Sequence, residues 1–193
     1  MSALLEGHFV VKGARLAFPN LWVAQEYEPG DGKPRYSATL LIPKNDPQLA
    51  AIDAIGLKLF KQQFKEKEGV ILFNATKTDS KKTCFADGDT KVLDGYAGCM
   101  ALTAHRAAKD GKPKVLARDA ETPLLPADGK PYPGCYVNAK ILFWAQDNKH
   151  GKALRATLEV IQFVRDGEAF SGAAAATTDG MEAEPEEQEA PLV

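Results

Sequence analysis

The chain has 193 residues, 45% of them hydrophobic and 26% charged, with a formal net charge of −2. This is the make-up of one ordinary globular domain, large enough to hold its core without a metal or a disulfide. No apolar run nears the ~20 residues that span a bilayer as a helix, and Met1–Gly7 lacks the basic and apolar regions of a secretory signal, so no membrane partner and a cytoplasmic location are expected.

Two apolar stretches lead the chain. His8–Lys12 and Arg15–Phe18 read as strand, with Gly13 as a bulge or bend between them and Pro19-Asn20 as a break. From Arg35 to Ile42 the alternation is clear: Tyr36, Ala38, Leu40 and Ile42 share one face, and Pro43 ends the strand. Asp46 as N-cap and Pro47 at the first helical position open a helix. Leu49, Ile52, Ile55, Leu59, Phe60 and Phe64 give it an apolar face, and Gly69 is expected to end it. Val70–Phe73 and a polar loop, Asn74–Thr83, follow. Gly98–Arg106 and Lys114–Leu116 are strand candidates. Two long strands, Cys135–Ala145 and Ala153–Arg165, close the domain around the hairpin loop Asp147–Lys152. Asp-Gly-Lys-Pro occurs at Asp31–Pro34, Asp110–Pro113 and Asp128–Pro131. Its Gly supplies a positive φ and its Pro ends regular pairing, so each copy is a loop tip that lifts a lysine to the rim. The sum is a mainly β chain with one substantial helix, in the element order of an OB-fold-like Greek-key barrel with long hairpin loops.

Charge is segregated. All Lys and Arg lie at or before Arg165, leaving residues 1–172 at +4, whereas Ala173–Val193 carries Asp179, Glu182, Glu184, Glu186, Glu187 and Glu189 and no base. With no aromatic residue, that tail cannot bury enough to offset its ordering entropy and is expected to be disordered. Residues 1–172 and 173–193 are therefore read as a folded domain and an acidic tail. One reading of the tail is a solubilising segment. The other is a tethered polyanion mimic, competing at high effective concentration for a basic groove.

Three cysteines, Cys84, Cys99 and Cys135, form no C-x-x-C pair, and three histidines fall in no metal-binding spacing, so no metal site or cofactor is expected. No phosphate-cradling glycine loop and no nucleophile elbow occurs, which argues against an enzyme. Asp87, Asp89 and Asp94 are scattered acids that a metal-dependent nuclease would need to gather; a plain turn explains Asp87 and Asp89 as well.

The strand at Cys135–Ala145 carries the clearest binding signal. Val137, Ala139, Ile141 and Phe143 make its core face; Tyr136, Asn138, Lys140, Leu142 and Trp144 make the other. Exposed rings beside cations suit unpaired nucleic acid, because bases stack on rings while cations follow phosphates. The alternative is that these rings pack under the helix or a loop. Trp22, Tyr132 and Tyr96 sit among turn residues and join Tyr136 and Trp144 as stacking candidates. Arg15, Lys33, Arg35, Arg106, Lys114 and Lys140 are candidate phosphate contacts. Phe18, Tyr36 and Phe73 are expected in the core. A protein-interaction module without catalytic activity is the competing reading.

Four blocks, Ala14–Trp22, Arg35–Lys44, Tyr132–Ala139 and Leu158–Glu168, resemble in this order the single-stranded-DNA-binding proteins of tailed bacteriophages, once grouped as a domain of unknown function. The resemblance runs from about Gly7 to Gly172. It implies an OB-fold that binds single-stranded DNA with little sequence preference in phage replication, recombination or repair, inside the host cytoplasm, with no enzymatic activity and no cofactor. It also implies an acidic tail able to meet replication and recombination proteins, though the Pro191-Leu192-Val193 end lacks the aromatic residue that often finishes such tails. Homo-oligomerisation stays open.

Overall fold

The computed structural model describes residues 6–171. In chain order these form β1 (His8–Gln25), β2 (Arg35–Pro43), α1 (Gln48–Phe64), α2 (Glu66–Lys77), β3 (Phe85–Asp87), β4 (Cys99–Ala107), β5 (Lys114–Leu116), β6 (Tyr136–Asn148) and β7 (Gly151–Arg165). No helix among the described residues is long and apolar enough to cross a membrane.

β1 is one strand rather than two. It passes through both expected interruptions and absorbs each as an irregularity in register, the first between Val11 and Ala14 against β6 and the second between Ala17 and Asn20 against β2. At the first, Gly13 takes a φ of +65° and its N–H reaches Asn138 Oδ1 at 2.9 Å. The strand thereby serves two partners, with Arg15 opposite both Tyr136 on β6 and Leu41 on β2.

The barrel runs β4-β2-β1-β6-β7 and closes where His105 of β4 meets Thr157 of β7 in a parallel bridge. β3 and β5 extend it beside β4 and β7. Inward positions follow the two-residue period of a strand. Val11, Leu16, Leu40, Leu102, Val137, Ile141, Phe143 and Leu158 are fully buried there. This is the expected OB-like barrel.

The helical region differs from expectation. The helix stops at Phe64, Lys65 turns the chain at a φ of +67°, and a second helix, α2, takes in Gly69 and Val70–Phe73. A four-residue apolar run cannot by itself tell a buried helix from a strand. Here Gly69, Phe73 and Thr76 recur at helical spacing as the buried face of α2. Gly69 is a contact point, not a stop: a Cβ there would lie 2.6 Å from the Phe60 carbonyl oxygen of α1. Phe60 packs 5.4 Å from Phe64 and 5.6 Å from Phe73 between ring centroids, so the helical hairpin caps the barrel with aromatic rings. Pro47, not Asp46, immediately precedes α1; Asp46, one residue earlier, accepts the Gln48 N–H on its Oδ1 at 2.8 Å.

The last described residues form a strap against β1 and the Tyr132–Gly134 turn. Phe170 N–H donates to the Pro133 carbonyl at 3.1 Å, and the Tyr132 hydroxyl donates to the Gly167 carbonyl at 3.0 Å.

Candidate nucleic-acid interface

Outward positions of four strands line up in register. Trp144 lies opposite Arg155 and Leu142 opposite Thr157; Thr157 meets His105; His105 lies opposite Ser37 and Thr103 opposite Thr39. Opposed residues in a sheet share a face, and the intervening residues Phe143, Leu158, Leu40 and Leu102 are sealed inside. The row therefore lies on the outside of the barrel, across β6, β7, β4 and β2.

Its floor is small and polar. The hydroxyls of Thr39 and Thr103 are 3.1 Å apart, and Asn20 Nδ2 donates to Ser37 Oγ at 3.2 Å. Flat platforms rise at its margins. Trp144 is 40% exposed, and its indole N–H donates to Thr157 Oγ1 at 3.1 Å. Tyr27, 77% exposed, stands beside Arg35, whose guanidinium carbon is 5.5 Å from the ring centroid. Phe18 is 58% exposed and meets Tyr96 edge-on at 6.4 Å.

Phe18 was expected in the core, and the bulge explains its escape. Between Ala17↔Thr39 and Asn20↔Ser37, β1 advances three residues while β2 advances two. The extra residue is accommodated with Phe18 at a φ of +45°, a region that bulky residues rarely occupy. Such strain gathers at functional positions.

Two cations flank the row. Arg155 is pinned, its Nε donating to Gln146 Oε1 and its terminal nitrogen to the Lys81 carbonyl, both at 3.0 Å. Arg35 faces Asp31 at 3.5 Å. Between them stands His105, whose imidazole burial, reinforced by the charges of Arg35 and Arg155, pushes down to about 4. It is uncharged at neutral pH.

The other sequence candidates occupy different places. Arg15 secures the strap: its side chain donates to the carbonyls of Gly134 at 3.2 Å and Glu168 at 2.5 Å. Its guanidinium carbon lies 4.3 Å from the Phe170 centroid and 5.8 Å from that of Tyr136. Tyr136 is covered on another side by Arg165 at 3.4 Å. The Tyr132 hydroxyl is taken by Asp166 and Gly167. Trp22 is partly buried against the main core. Arg106 donates to the carbonyls of Asp110 and Gly111, bracing the second Asp-Gly-Lys-Pro loop. Lys140 pairs with Glu159 at 3.2 Å. Lys114 is exposed on the short strand β5 and Lys33 on the β1–β2 loop. Asp87 and Asp89 both grip Lys44 at 2.6 Å. The six tail acids lie outside the described residues.

Of the named candidates, the row thus gathers Trp144 and Arg35. Phe18, Tyr27, His105, Thr157 and Arg155, on or beside the row, were not among those candidates. The interrupted alternation at Phe18-Pro19-Asn20 was the one local signal that could have flagged a bulge.

Comparison with known proteins agrees with this architecture. The family model of the Enterobacter phage Enc34 ssDNA-binding protein matches residues 8–191. A putative protein p50 of Acyrthosiphon pisum secondary endosymbiont phage 1 is 36% identical over 170 residues, covering 88% of this chain and 89% of that protein. The single-stranded DNA-binding protein of bacteriophage Enc34, solved in complex with ssDNA, superposes with a TM-score of 0.69 at 28% identity, over 84% of this chain and 89% of that one. The single-stranded DNA-binding protein gp2.5 of bacteriophage T7, with a TM-score of 0.54 at 16% identity over 95% of this chain and 98% of that one, shares the fold. With a family match over most of its length and a five-stranded barrel of the same build, this chain belongs to the family of the phage Enc34 ssDNA-binding protein.

Proposed function

We propose that this chain binds single-stranded DNA, with little sequence preference and without catalysis, across the outer row from Trp144 to Ser37. The observation that carries this is the register itself: four strands bring an exposed indole, two arginines and a small polar floor onto one face. Bases stack on Trp144, and on Phe18 and Tyr27 at the margins; Arg35 and Arg155 take phosphates. A floor of hydroxyls with only one imidazole on it leaves room for any base.

Ala173–Val193 acts in this reading as a competitor for the same face, because its six acids are tethered to a domain carrying net +4. The supporting observation is where the described chain ends. Ser171 donates its backbone N–H to Asp94 at 3.2 Å, on the loop that carries Tyr96, the ring beside Phe18. The same tail suits contact with basic surfaces of replication and recombination proteins.

The test is a titration with oligo(dT), read by tryptophan fluorescence at two salt concentrations, on the full chain and on a chain lacking 173–193. Quenching that weakens steeply with salt is expected, with tighter binding and some duplex binding after truncation. An unresponsive full-length protein would refute the binding reading. Equal affinities of the two forms for both DNA types would refute the competing tail.

A further inference from the structure

Among the described residues, one buried side-chain polar atom lacks a hydrogen-bond partner: Nδ1 of His105. Buried polar atoms are nearly always satisfied, and an exception calls for a reason. This one lies at the barrel's closing bridge, opposite Ser37 on one side and Thr157 on the other. The Thr157 hydroxyl oxygen already accepts from the Trp144 indole. The Ser37 hydroxyl accepts from Asn20. His105 is left as an unpartnered imidazole among hydroxyls, with Arg35 and Arg155 as its charged neighbours.

Resting on the DNA-binding reading of this face, we propose that His105 is the residue that senses an unpaired base: its Nε2–H donates to an acceptor on the base edge, while Arg35 and Arg155 hold the flanking phosphates. The argument has three steps. A neutral imidazole carries one N–H and one lone pair. An orphaned N–H is the rarer and costlier thing to bury, so the lone pair belongs on the sealed Nδ1 and the proton on Nε2. A phosphate would instead draw a charged imidazolium, yet burial and two adjacent guanidinium groups disfavour that charge. The two arginines serve phosphate as the always-charged groups. An uncharged donor between them suits a carbonyl oxygen or a ring nitrogen.

Such a donor does not select a sequence. Every base carries at least one acceptor on its edges: O6 and N7 on guanine, N7 on adenine, O4 on thymine, and O2 and N3 on cytosine. Unpairing frees further acceptors on the pairing edge. His105 thus registers that a base is present and turned towards the floor, which phosphate contacts alone cannot do.

The experiment compares wild type with His105→Phe and His105→Gln on two probes, oligo(dT) and an abasic oligonucleotide of equal length, with oligo(dT) also titrated over a salt series. His105→Phe keeps a flat ring without a donor; His105→Gln restores an N–H. His105→Phe is expected to weaken oligo(dT) binding about two- to tenfold, the range for a single neutral hydrogen bond. It should leave abasic binding and the salt slope at wild-type values, and His105→Gln should recover most of the loss. Melting curves of each variant confirm folding. An equal loss on the abasic strand, or a shallower salt slope, would show that His105 serves the backbone and overturn the proposal while leaving the binding reading intact. Wild-type affinity of His105→Phe for oligo(dT) would do the same. No binding of oligo(dT) by the wild-type chain would overturn both.

Discussion

The indole N–H of Trp144 donates to Thr157 Oγ1 across the β6–β7 pair, at 3.1 Å. A tryptophan on an open face could adopt several rotamers; this bond selects one and presents the ring as a fixed surface. A preorganised platform loses less entropy when a base settles on it. Trp144→Ala is therefore expected to cost about 1–3 kcal/mol of oligo(dT) affinity. Thr157→Val, which keeps the ring but frees it, is expected to cost less. Fluorescence quenching should vanish in Trp144→Ala and persist in Trp22→Phe, because Trp22 packs against the core. The reverse pattern would move the stacking site to Trp22.

Arg35 and Arg155 make a separate claim. If each neutralises one phosphate, Arg35→Ala and Arg155→Ala should each lower the slope of log affinity against log salt by about 0.7 on a single strand. The double variant should lower it by about twice that. Lys140→Ala should leave the slope unchanged, because Lys140 is committed to Glu159. That carboxylate pays for its partial burial, yet hydrogen bonds from His8 and Lys140 hold it below the usual range.

Parts of this arrangement were legible from residues alone. β6 alternates strictly from Tyr136 to Phe143, so its core face could be read directly, and the Asp-Gly-Lys-Pro tips behave as turns, with φ of +63° at Gly32, +78° at Gly111 and +65° at Gly129. The outer row was not legible, because it depends on closure. His105 and Thr157 become neighbours through a parallel bridge between strands far apart in sequence, and no periodicity encodes such a pairing. Arg15, Tyr132 and Tyr136 are ambiguous in sequence for a related reason. An arginine among aromatic rings has the same composition whether it grips a DNA strand or the chain's own strap. Phe18 misled because one bulge reverses the side to which a side chain points.

The strain at Phe18 yields a stability test independent of DNA. Both Phe18→Ala and Phe18→Gly remove the ring and its contact with Tyr96, so both should weaken oligo(dT) binding. They differ in backbone. Alanine retains the cost of a positive φ, and glycine does not. In urea denaturation Phe18→Gly should be more stable than Phe18→Ala by about 1 kcal/mol, the opposite of the order in an ordinary strand. The ordinary order would mean that the bulge is unstrained.

His105 also leaves a signature in the pH dependence of folding. Its pKa in the folded chain is about 4, against about 6.5 for an exposed histidine. Between those values the unfolded chain holds a proton that the folded chain rejects. Stability should therefore rise with pH from 4 to 6.5 and level off above. His105 contributes at most ~3 kcal/mol to that rise. In His105→Phe this part of the profile should flatten, and chemical denaturation at pH 4.5 and 7 measures it. An unchanged profile would mean that the imidazole is solvated and titrates normally.

Arg15 provides the last test, because two roles compete for it. As a phosphate contact, its loss would lower the salt slope. As the bolt of the strap, its loss would release two carbonyl hydrogen bonds and its stack on Phe170. The strap is fitted closely: a Cβ on Gly134, whose φ is +99°, would lie 2.1 Å from the Glu168 carbonyl oxygen. Gly134→Ala should therefore imitate the loss of Arg15 without touching charge. Both Arg15→Ala and Gly134→Ala are expected to lower the melting temperature and to open residues 166–171 to proteolysis, with the salt slope of oligo(dT) binding unchanged. Arg15→Lys should behave like Arg15→Ala in stability, since an ammonium lacks the planar fork that spans both carbonyls and stacks on a ring. A reduced slope in Arg15→Ala but not in Gly134→Ala would return Arg15 to the DNA-binding surface.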